Sequence, residues 1–148
     1  MHFSDTPESK PTGRLRLEIY RKGELIEVFD EQNLIVDGSK EVQAKLIGGT
    51  VTNNSVTQFG VGTNGTAPAG GNTALTAPYL KNVDAVTYPA VGQVRFTFSL
   101  SSLEANGMAI MEFGLLTAAG VLYARRVRAA ALNKDADISI SGTWTITF

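Results

Sequence analysis

The chain has 148 residues, enough for one domain with an ordinary core and too few for two. Apolar residues make up 43% and charged residues 18%, below the usual charged share of about 25%, so some surface can be covered by protein rather than water. A net charge of −1 argues against a nucleic-acid binder that neutralises phosphates, and the absence of cysteine excludes disulfides, thiolate metal sites and cysteine nucleophiles.

Residues 1–13 are polar, carry Pro7 and Pro11, and show no periodicity. They read either as a disordered tail or as an arm that orders against a partner subunit. The stretch has no apolar h-region, and no run approaches 18 apolar residues, so neither a signal peptide nor a membrane span is expected. Residues 14–148 are expected to form a single domain.

RLRLEIY (Arg14–Tyr20) alternates, with Leu15, Leu17 and Ile19 on one face. With GELIEVF (Gly23–Phe29) it predicts a β-hairpin, and Asn33–Val36 a short further strand. DGSKEVQAKLIGG predicts one short helix over about 39–48, capped by Ser39 or Asp37 and stopped by Gly48-Gly49.

Strands are then predicted over Ser55–Val61, Asn82–Tyr88, Gly92–Leu100, Met108–Thr117, Val121–Arg128 and Asp137–Phe148. The last is the cleanest, with Ile138, Ile140, Gly142, Trp144, Ile146 and Phe148 on one face. Seven or eight strands at hairpin spacing with one short helix predict a mainly β fold, an antiparallel β-sandwich.

Leu46–Leu80, 35 residues, contains no charge. A segment of Gly, Ala, Thr and Asn can pack its backbone against a neighbouring subunit, or it can be a neutral flexible loop. Within it Gly60, Gly62 and Gly65 spell G-x-G-x-x-G. A dinucleotide turn needs a helix after the glycines, and Pro68, Gly70, Gly71 and Pro78 prevent one.

Other chemistry is equally thin. His2 is the sole histidine, Asp135 and Asp137 lack the remaining ligands of a calcium loop, and nothing brings Glu104 and Glu112 together. Arg125, Arg126 and Arg128 form the one basic cluster, expected to make ion pairs on a solvated or intersubunit face. No enzyme, cofactor or metal site is expected. The residues expected at subunit contacts are Phe3, Pro7 and Pro11 of the arm, Asn64, Pro68 and Asn72 of the neutral loop, and Arg125, Arg126 and Arg128.

The segment order carries a resemblance. NLIVDG (Asn33–Gly38) precedes the short helix; FGVGT (Phe59–Thr63), TAPA (Thr66–Ala69) and TAL (Thr73–Leu75) follow. Then come MEFGL (Met111–Leu115), LYAR (Leu122–Arg125) and WTITF (Trp144–Phe148). This layout over residues 33–148 resembles a family of small structural proteins of tailed-bacteriophage virions.

The resemblance implies a non-enzymatic component of a tail, neck (collar) or baseplate, built as a β-sandwich and assembled as a multi-copy ring through arm, loop and edge-strand contacts. Its implied partners are copies of itself and other virion proteins, not nucleic acid or membrane. The implied location is the virion, after synthesis in the host cytoplasm. A fibre-base or receptor-contacting module and a head-decoration protein are the alternatives.

Overall fold

A computed structural model describes residues 10–148. It is mainly β, with nine strands and one helix among those residues. In chain order these are β1 (Thr12–Arg21), β2 (Glu24–Ile35), α1 (Gly38–Ile47), β3 (Val56–Gly62), β4 (Tyr79–Asn82), β5 (Ala85–Thr87), β6 (Gln93–Leu100), β7 (Ala109–Thr117), β8 (Leu122–Asn133) and β9 (Ile138–Thr147).

The first hairpin forms where the alternation predicts it. Arg21 pairs with Glu24 across Lys22 and Gly23, both at positive φ (50° and 80°). That two-residue geometry matches the right-handed twist of the flanking strands. The Lys22 N–H donates to Asp137 O at 2.8 Å, tying the turn to the start of β9.

All strands belong to one antiparallel sheet in the order β4-β3-β7-β8-β2-β1-β9-β6-β5, curled into a half-barrel. β2 joins its two halves. It pairs with β1 from Glu24 to Asn33 but meets β8 only at Leu34 and Ile35, so the strands diverge beyond that point. The halves face each other across an apolar interior, where Phe59 of β3 stacks on Phe98 of β6 at 4.3 Å. Trp144 is fully buried there and donates its indole N–H to Asn33 Oδ1 at 2.8 Å.

The structure has nine strands rather than seven or eight, in one continuous sheet. The single strand expected over Asn82–Tyr88 is two, because Val83 and Asp84 carry the chain from one sheet edge to the other. The Val83 N–H donates to Thr57 O of β3, and the Asp84 N–H to Thr97 O of β6. The segments expected at Gly23–Phe29 and Asn33–Val36 are instead one twelve-residue strand, long enough to serve both halves. β1 also begins at Thr12, inside the segment read as an arm.

Candidate subunit-contact site

Three places stand out, and the first two hold residues singled out in the sequence. The first is internal. Glu112 of β7 and Arg125 of β8 are 0% and 1% exposed, and Arg125 Nε donates to Glu112 Oε1 at 2.8 Å. Such a pair is stable only when its other polar atoms are also satisfied, and the neutral loop supplies the partners. Glu112 Oε2 accepts the Asn64 and Thr76 N–H groups, both at 2.9 Å. Arg125 Nη1 donates to Asn72 Oδ1 and Nη2 to Asn64 O, each at 3.0 Å.

The charge-free loop is therefore pinned by its own backbone to one buried ion pair. The two glycines ahead of it stand close to neighbouring atoms. A Cβ on Gly62 would lie 2.6 Å from Glu112 Oε2, and one on Gly60 2.5 Å from Leu80 Cδ2. The Asn64 backbone, the Asn72 side-chain amide and the buried Arg125 guanidinium meet here, while the Asn64 side chain accepts the Thr66 N–H at the surface at 3.0 Å. Pro68 sits half-buried on the same loop. Glu112 was not expected; the signal for it is a lone acid inside the apolar run MAIMEFGLLT. Glu104 lies elsewhere, bonded to Tyr79, Lys81 and the Ser101 N–H.

The second place is the divergence of β2 and β8. Arg128 makes a bidentate pair with Glu27 at 2.9 and 3.2 Å. Arg126 pairs with Glu31 and donates to Gln32 O at 3.0 Å. Both guanidinium groups lie over the Phe29 ring, at 5.4 and 5.9 Å. The two arginines thus clasp strands that the backbone ladder has released.

The third place is the open end of the half-barrel. A groove of about 470 Å3 runs between α1, the start of β3, and β5, β6 and β9. Val42, Leu46, Val94 and Phe96 contribute to its walls, and no charged residue lines it. Its rim is apolar and open: Tyr88 is 76% and Phe148 53% exposed, and the adjacent Val91 is fully exposed. β5, all three residues exposed, is the last strand of the sheet on this side. Inside, Gln43 Nε2 donates to the Tyr123 hydroxyl at 2.8 Å, and burial raises the pKa of that phenol.

Pro11 is exposed one residue before β1, and Thr12 pairs with Thr147, next to Phe148 of this rim. Phe3 and Pro7 lie outside the described residues. Compared with known protein families, curated proteins and solved structures, the chain matches none.

Proposed function

We propose that the protein is a structural component of a tailed-phage virion, in the tail, neck or baseplate, working as a multi-copy ring and finely described as a sandwich-like half-barrel. One observation carries the contact surface: an apolar rim of Tyr88, Val91 and Phe148 beside an uncharged groove and an unextended edge strand. Clustered exposed apolar side chains of this kind mark protein interaction sites, and a free strand edge can accept a neighbour's strand.

The motifs behind the resemblance support the same reading, because they converge in space. Gly62 of FGVGT, Glu112 of MEFGL and Arg125 of LYAR meet at the buried ion pair, while Asn33 of NLIVDG bonds Trp144 of WTITF. The layout thus specifies one way of holding a long loop on a curled sheet. A protein of this kind acts by fitting to its neighbours, and its product is an assembly. Electron-microscopy reconstruction of purified particles, with bound antibody to mark the protein, tests this. Symmetric copies in the tail, neck or baseplate are expected; absence of the protein from particles would sink the proposal.

A further inference from the structure

A second surface lies on the outer face of the sheet, away from the groove, and does not depend on the virion reading. Arg14 of β1, Thr145 of β9 and Arg95 of β6 share one row across three neighbouring strands. Strand spacing sets the two arginine backbones about 10 Å apart, with the threonine between them. They border a shallow depression of about 270 Å3 whose walls carry two guanidinium groups and no carboxylate.

The guanidinium groups keep donors in reserve. Arg95 Nε donates to Thr145 Oγ1 at 3.0 Å, and its Nη groups bond to none of the described residues. Arg14 spends only Nε, on Asp30 Oδ1 at 2.7 Å. The remaining walls are neutral donors and acceptors: Thr147, which accepts from Gln93 Nε2 at 3.3 Å, and the Gln32 amide.

From this arrangement we infer that the depression binds a carboxylate-bearing saccharide of the hexuronate class. The planar guanidinium fork of Arg95 matches a carboxylate in two parallel hydrogen bonds, which a point charge would not. The hydroxyls and amides on either side suit ring hydroxyls, which accept and donate at similar spacings. The volume is below the roughly 300–1,000 Å3 of drug-sized sites, so it fits a single ring. No aromatic side chain lines it, so the site is weak.

The test uses the full chain and NMR titration with sodium glucuronate, glucose and sodium acetate. Glucuronate should shift the amides of Arg14, Arg95 and Thr145 with a dissociation constant on the order of millimolar, about tenfold tighter than glucose or acetate. Arg95→Gln, on a solvent-facing strand position, should leave the remaining spectrum unchanged and erase that preference; Arg95→Lys should restore part of it. Equal binding of acetate would reduce the site to a simple anion site and overturn the inference. So would unchanged binding in Arg95→Gln, or tighter binding of a Glu-rich peptide than of glucuronate.

Discussion

Arg125 shows how much one residue can hold. Its guanidinium joins Glu112 to Asn64 and Asn72, two residues eight apart in a loop with no charge of its own. Arg125→Ala would leave the Glu112 carboxylate buried without its counter-ion. Breaking a buried pair from one side costs about 3–5 kcal/mol, whereas replacing both partners with apolar groups is often neutral. Chemical denaturation should therefore show a large loss for Arg125→Ala and a smaller one for Arg125→Met combined with Glu112→Leu. Proteolysis should cut residues 63–78 faster in the single variant. A loss below about 1 kcal/mol in that variant would mean the loop is held by something else.

Half of this was legible in the sequence. Glu112 stands alone in an apolar strand and so needed a partner, whereas Arg125 sits beside Arg126 and Arg128 in a cluster that reads as a solvated or intersubunit face. That they partner each other depends on the bulged register between β7 and β8, which no local pattern records. The same gap explains the loop. Its neutral composition fits an interface or a flexible segment, and only the ion pair behind it reveals that the backbone is bound internally.

At the scale of elements, β4 is a four-residue edge strand and needs support from outside the ladder. Glu104 gives it, accepting from Lys81 Nζ at 2.9 Å, the Tyr79 hydroxyl at 3.1 Å and the Ser101 N–H at 3.0 Å. The Ser101 N–H, then Lys81, hold the Glu104 pKa down at about 2, against an ordinary value of 4.5. Because the folded pKa is depressed, this stabilisation is complete above about 4.5 and fades as pH falls towards about 2. The side chain is about a quarter exposed, so solvent screening reduces the effect to the order of 1 kcal/mol. Denaturation of the wild type and Glu104→Gln should differ at neutral pH and converge as pH approaches about 2. A difference that stays constant with pH would rule out the carboxylate as the cause. The long alternating strands were readable because period-2 patterns survive any tertiary arrangement. The break at Val83-Asp84 was not, since NVDAVTY alternates well enough for one strand and turns only because each edge offers a carbonyl.

For the whole molecule, the two sheet edges, β4 and β5, are consecutive in the chain, and the groove lies where α1 faces the start of β3 and β5, β6 and β9. For the proposed assembly, the charged clasp at Arg126 and Arg128 and the uncharged rim at Tyr88 and Val91 are the competing candidate surfaces, and salt separates them. Association through ion pairs weakens with ionic strength, because exposed charges more than a Debye length apart are screened. Association through apolar surface persists, and sulfate strengthens it. Replacing Tyr88 and Val91 by Asp puts uncompensated charge into any contact made through this rim, without touching the buried core. If the proposed assembly forms through the rim, analytical ultracentrifugation should show a wild-type oligomer retained in sulfate and the double variant shifted towards monomer, with the thermal midpoint unchanged because both side chains are exposed in the isolated chain. If salt dissolves the oligomer and the double variant assembles normally, the contact belongs to the Arg126–Glu31 and Arg128–Glu27 face instead.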